Sequence, residues 1–189
     1  VRAQGKRRRV TLPKIYGPAA SSVAAARTFF RDPKLAQGIL DSVDVFSVHG
    51  WDNSKAPDRF IELDALLEDL RRLGRRPELA ITEYGLARPV PSDTSDRMNV
   101  KVRSPDSIAN TPFYGSISAR DLLRFCASGA STVIHWEFRD ESWGKASFGL
   151  LDARGHERPI YRMIRDVSKY LADSRPRRIV PTTVNGLFV

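Results

Sequence analysis

Three apolar runs of this chain end in residues that are costly to bury. "VDVFSVHG" (43–50) ends at His49 and is followed by Trp51 and Asp52. "ELAITEYG" (78–85) ends in Glu83 and Tyr84. "STVIHWEF" (131–138) carries His135, Trp136 and Glu137, with Asp140, Glu141 and Trp143 just beyond. An ionisable group where an apolar strand stops is expensive unless it is paired or put to use. Indole faces stack on the C–H faces of sugars, while carboxylates and imidazoles bond hydroxyls. The mixture therefore suits a carbohydrate ligand.

An alternation of strands and helices must position these residues. A further strand-like run, "LPKIYG" (12–17), precedes the three, and helical patterns follow each run. After the first come "AASSVAAARTFF" and "DPKLAQGILDSV", where Asp32 is placed to cap and Pro33 to take the first helical position. After the second comes "PDRFIELDALLEDLRRLG", with Phe60, Leu63, Leu66, Leu67, Leu70 and Leu73 on one face and Gly74 as its stop. "SISARDLLRFCASG" follows the third run and "RPIYRMIRDVSKYLAD" the fourth. Four β-α units in series require parallel strands with right-handed crossovers, an α/β fold. The runs look apolar on both sides, as a doubly covered sheet needs.

Such a chain makes either a small open sheet or half of a (β/α)8 barrel. No Gly-rich phosphate loop follows any strand, which argues against a nucleotide-binding open sheet. In barrels, function collects at the C-terminal ends of strands, where the costly residues lie. The proline-rich connection 86–114 is expected on that same face, as a lid or a disordered loop.

The 189 residues suffice for one domain with a sizeable core, and 41% hydrophobic with 28% charged residues is a globular composition. No run of 18 apolar residues occurs, so no membrane-spanning helix is expected. The net charge is +9. Its basic runs, "KRRR" (6–9), "RRLGRR" (71–76) and "RPRR" (175–178), lack interleaved aromatics and read as solvated faces rather than a nucleic-acid footprint. Cys126, the single cysteine, sits in a helical pattern as a buried, inert thiol. No zinc-type spacing is present, and neither metal nor organic cofactor is expected. The first residue is Val1, so the chain is expected to be processed or a piece of a longer polypeptide.

Taken in order, the runs resemble the C-terminal half of a clan A glycoside hydrolase, a retaining TIM (β/α)8 barrel, family 39-like or family 5-like. "LPKIYGPA" resembles strand five of that clan, "VDVFSVHGWD" strand six and "LAITEYG" strand seven. "STVIHWEF", with "SFGLLDARGHERPIYRMI" behind it, resembles strand eight and the run into the last helix. The resemblance covers about residues 12–172, flanked by a basic segment (1–11) and a β-like tail (173–189). The "NG" of that tail signals a turn, so the tail reads as a closing strand or the start of an accessory β-domain.

The resemblance implies retaining hydrolysis of a β-linked glycoside or polysaccharide, with Glu83 as the nucleophile and Trp136 as the floor of the sugar subsite. It implies that His49 bonds a hydroxyl or orients the carboxylates and, by family analogy, secretion. Trp51, Asp52 and Trp143, just beyond the strand ends, are read from their positions as substrate-binding residues. Many relatives carry a Tyr at the position of Trp51, where it contacts the nucleophile; an indole N–H can donate there but is not a phenol. The acid/base glutamate of the clan follows an asparagine, and no Asn-Glu occurs in this chain. Glu137 alternates away from Trp136 and is expected to be structural. The expected partners are a carbohydrate and the N-terminal half of the barrel, which would supply the missing carboxyl. Without it the chain is expected to be inactive. The alternative is a non-catalytic carbohydrate-binding or scaffold fragment that pairs with another half.

Overall fold

Four parallel strands form one sheet in the order of the chain: β1 (Tyr16–Ala20), β2 (Val45–His49), β3 (Glu78–Tyr84) and β4 (Ala130–His135). The computed structural model describes residues 13–51, 59–85, 109–140 and 148–172, and the pairs 183–184 and 187–188. Helices fill the crossovers: α1 (Val23–Thr28) with a 3-10 turn (Phe29–Arg31), α2 (Pro33–Ser42), α3 (Arg59–Arg72), α4 (Pro112–Ala127) and α5 (Pro159–Ala172). An open nucleotide-binding sheet reverses its strand order at a switch point; this sheet does not. Each β-α unit is laid beside the last, as in a barrel wall.

The core lies between the sheet and the helices. Phe46, Val48, Leu79, Ile81 and Tyr84 pack against Leu63, Leu66 and Leu70 of α3 and Leu122 and Phe125 of α4. Ile164 and Val167 of α5 close the same layer. Both faces of β2 and of the middle of β3 are buried: Val45, Ser47 and Ala80 are as inaccessible as the core residues they alternate with. β4 differs, for Ile134 alternates away from the core residue Val133 and stands half exposed.

Most helix signals act as the sequence implies. The Asp32 carboxylate accepts from the Lys34 and Leu35 amides ahead of Pro33, and Gly74 closes α3 at φ 67°, a conformation that suits glycine. Three boundaries move. β1 begins at Tyr16 and runs through Pro18, which an edge strand tolerates because that residue owes no ladder N–H. α1 therefore starts only after Ser22, whose hydroxyl accepts from the Ala25 amide. α4 starts at Pro112, capped by Thr111, and absorbs the last residues of the expected loop. Residues 86–108 of that loop lie outside the described residues. The tail pairs Thr183–Val184 (β5) with Leu187–Phe188 (β6) as antiparallel strands, in keeping with the turn signal between them.

Charged side chains away from the strand ends are largely paired. Arg27 joins Glu62 and Asp69, Arg71 and Arg72 meet Glu68, and Arg75 meets Asp41. The arginine run after α3 is thus a solvated, locally compensated face. Among the described residues no helix is long and apolar enough to cross a membrane. No group of three or more metal-ligating side chains occurs among them either.

Candidate active site

Glu83 owes its position to a break in the strand. Val48 of β2 pairs with Ile81, but the next residue, His49, pairs with Glu83. On the other side Ile81 pairs with Val133, and Tyr84 with His135. Thr82 and Glu83 together therefore oppose the single residue Ile134, a β-bulge. Strict alternation from Leu79 and Ile81 would send Glu83 toward the helices. The extra residue resets the phase, so Tyr84 enters the core against Phe125 and Glu83 turns to the opposite face.

Trp51 and His49, at the end of β2, meet Glu83 there. The Trp51 indole Nε1–H donates to Oε2 at 3.0 Å, and His49 Nδ1 lies 3.2 Å from the same oxygen. Neither group reaches Oε1, which makes no hydrogen bond among the described residues. Trp51 is steadied edge-on by Phe148, with ring centroids 5.5 Å apart. Trp136 follows β4, its amide bonded to the Tyr84 carbonyl at 2.8 Å and its side chain 44% exposed. The strand ends thus bring His49, Trp51, Glu83 and Trp136 to one place. Asp52, Glu141 and Trp143 lie outside the described residues.

Asp140 is buried: it accepts from Arg158 Nη2 at 2.5 Å and from the Gly149 amide at 2.6 Å. Glu137 is half-buried, and its carbonyl accepts from the Leu150 amide at 3.0 Å. Tyr84 sends its hydroxyl to the Ser118 carbonyl of α4. His156 is exposed and pairs with Asp152, whose carboxyl is held down to about 2, first by the His156 backbone amide. Cys126 is half-buried rather than buried, and burial raises its pKa, which keeps it a thiol.

His135 packs edge-on against Tyr84, 5.1 Å between centroids, and neither ring nitrogen makes a hydrogen bond of normal geometry among the described residues. Burial drives its pKa down to about 4, only partly offset by the Glu137 backbone. An unfolded imidazole titrates near 6.5, so as pH falls the unfolded chain takes the proton first. The stability held by neutral His135 is complete above roughly pH 6.5 and is lost as pH drops toward 4. The expected slope is about 1.4 kcal/mol per pH unit. His135→Phe is expected to remove that slope. Urea unfolding of both proteins at pH 7 and pH 5 checks it, and equal losses in the two would contradict it.

Sequence reasoning missed a buried pair beside these residues. Arg59, the first residue of α3, and Asp121 of α4 form an ion pair and are 7% and 1% exposed. Burial pushes the Asp121 carboxyl up, against the pull of Arg59 and Arg120. The signal was present in the chain: Arg59 shares a helical stripe with Leu63, Leu66 and Leu70, and Asp121 shares one with Leu122 and Phe125.

No protein-family profile and no curated protein matches this sequence. Solved structures do match its fold. Xylanase 10B from Thermotoga petrophila RKU-1, in complex with xylobiose, superposes with a TM-score of 0.50 at 16% identity, over 84% of this chain and 46% of that one. Xylanase 10B from Thermotoga maritima gives 0.49 at 16%, over 82% and 47%. A family 39 glycoside hydrolase from Bacteroides cellulosilyticus WH2 gives 0.49 at 18%, over 75% and 30%. The chain is similar in fold to part of a TIM-barrel glycoside hydrolase. It spans less than half the length of these three structures.

Proposed function

We propose that this chain is the C-terminal half, strands five to eight, of a retaining glycoside hydrolase barrel acting on a β-linked glycoside or polysaccharide. Glu83 is its nucleophile. The convergence on that carboxylate carries the reading: a bulge turns it to the face opposite the core, the Trp51 indole holds one oxygen with His49 beside it, and the other is left to react. The unreversed strand order and the fold likeness to the xylanase support a barrel wall.

In this mechanism Oε1 attacks the anomeric carbon as the bond to the leaving-group oxygen breaks, giving a covalent glycosyl-enzyme. The leaving oxygen takes its proton from a second carboxyl, which sits about 5–5.5 Å from the nucleophile in retaining enzymes. Water then attacks the same carbon, gives its proton to that carboxylate and releases Glu83. Four further β-α units supply the second carboxyl. They also pair the open edges of β1 and β4 and cover Ile134. The exposed Trp136 indole forms the floor under the reacting sugar, with Asp52 and Trp143 contributing from the loops. His49 and Trp51 orient Glu83 and disperse its charge.

The test is stereochemical. The chain, joined to its partner half, is given 2,4-dinitrophenyl β-glycosides of xylose, glucose and galactose, and the first-formed product is read by proton NMR. The β-anomer is expected first; the α-anomer would contradict a glycosyl-enzyme on Glu83. Gly85 offers a subtler probe. A Cβ there would lie 2.9 Å from Trp51 Cζ3 and 3.1 Å from the Trp136 carbonyl oxygen. Gly85→Ala must push the indole off Glu83, and a displacement of about 1 Å at a reacting group can cost on the order of 10²-fold. The turnover of this variant is expected to fall by about that factor; unchanged turnover would show that the Trp51 contact does not matter.

A further inference from the structure

Arg59 does more than pair with Asp121. Its Nη1 donates to the Gly50 carbonyl at 2.9 Å and to the Gly85 carbonyl at 3.2 Å, while Nη2 meets the Asp121 carboxylate. Gly50 lies between His49 and Trp51, and Gly85 lies two residues beyond Glu83. One guanidinium thus ties together the backbone turns that carry all three groups. Both segments are also packed too tightly for a side chain. A Cβ on Gly50 would stand 2.6 Å from Phe125 Cζ and one on Gly85 2.9 Å from Trp51. The Arg59 Cζ lies 5.4 Å from the Phe60 ring centroid and 5.8 Å from that of Phe125. Asp121, also held by Arg120, anchors the whole to α4.

We infer that Arg59, anchored by Asp121, is a positioning residue that sets the Trp51–Glu83 contact by clamping the Gly50 and Gly85 carbonyls. The inference rests on the reading of Glu83 as nucleophile only for its consequence in rate; the clamp itself is a statement about geometry. A planar fork with several donors can bridge two carbonyls and a carboxylate at once, which an ammonium point charge cannot match. Buried carbonyls that lose their donor seek another, so the turns shift.

Arg59→Ala leaves Asp121 buried without its main partner and can fail to fold. The test therefore uses the double variant R59M/D121L, which replaces the pair by apolar side chains of similar size, together with R59K. Two readouts are taken on the protein joined to its partner half. One is the Trp51 indole N–H resonance in a nitrogen–proton correlation spectrum, assigned by its loss in Trp51→Phe. The other is the rate of covalent labelling by 2,4-dinitrophenyl 2-deoxy-2-fluoro-β-glycosides of the same three sugars. In a cooperatively folded R59M/D121L, the Trp51 resonance is expected to move toward that of a free indole and labelling to slow at least tenfold. R59K is expected to fall between. An unmoved resonance in the folded double variant overturns the inference. A moved resonance with no labelling even of the unsubstituted protein leaves the clamp standing and sinks the nucleophile reading instead.

Discussion

Glu83→Gln is expected to lower turnover of an activated aryl glycoside by at least about 10⁴-fold, the scale seen when a covalent nucleophile is removed. The amide still offers an oxygen to the Trp51 indole and to His49, so the surrounding geometry survives, and the half-exposed position makes little demand on folding. Denaturant unfolding should change by less than about 1 kcal/mol, as for other surface substitutions. Glu83→Asp keeps the charge but withdraws the oxygen by one carbon, and it should lose nearly as much. A glutamine variant that retains turnover would assign the chemistry to another group. Because a 2,4-dinitrophenolate departs without a proton, the experiment reads the nucleophile apart from the acid.

The second large effect is on stability. Asp121→Ala is expected to cost about 3–5 kcal/mol, because it leaves the buried Arg59 charge without its carboxylate. R59M/D121L should recover most of that loss, since apolar side chains of similar volume commonly replace a buried pair, and should keep a cost of about 1–3 kcal/mol for the Gly50 and Gly85 carbonyls that lose their donor. Urea titrations of the three proteins check both values. The contrast separates two roles of one pair: breaking it harms the fold, whereas exchanging it leaves the fold and loosens the turns beneath His49, Trp51 and Glu83. A double variant as unstable as Asp121→Ala would make the pair a plain requirement of the core.

Much of this was legible in the chain because the signals were local. Asp32 before Pro33, the leucine stripe of α3 and Gly74 behind it each act within a turn or two of themselves. The four β-α units follow from period alone. The bulge was harder to read, since a period of two passes through "LAITEY" in either phase. Its trace is two adjacent polar residues, Thr82 and Glu83, between two core residues, Ile81 and Tyr84, which no unbroken strand accommodates. The Arg59–Asp121 pair spans 62 positions, so spacing could not show it, although each charge sits on an apolar helical stripe. Asp140 misled for the reverse reason. It stands in a loop beside the candidate site, and only its bonds to Arg158 and the Gly149 amide mark it as a strut. The exposure of Ile134 was hidden as well, because an apolar strand residue looks the same in sequence whether it is covered or open.

The most direct measurement of the central claim is peptide mass spectrometry after incubation with 2,4-dinitrophenyl 2-deoxy-2-fluoro-β-glycosides of xylose, glucose and galactose. The fluorine slows breakdown of the glycosyl-enzyme, and the leaving group needs no acid, so the adduct accumulates on the nucleophile itself. The mass of one fluorosugar is expected on the peptide spanning residues 78–85, located at Glu83 by fragmentation and absent from Glu83→Gln. Label on any other residue, or a folded and completed barrel that hydrolyses β-glycosides yet never acquires the label, would contradict Glu83 as the nucleophile.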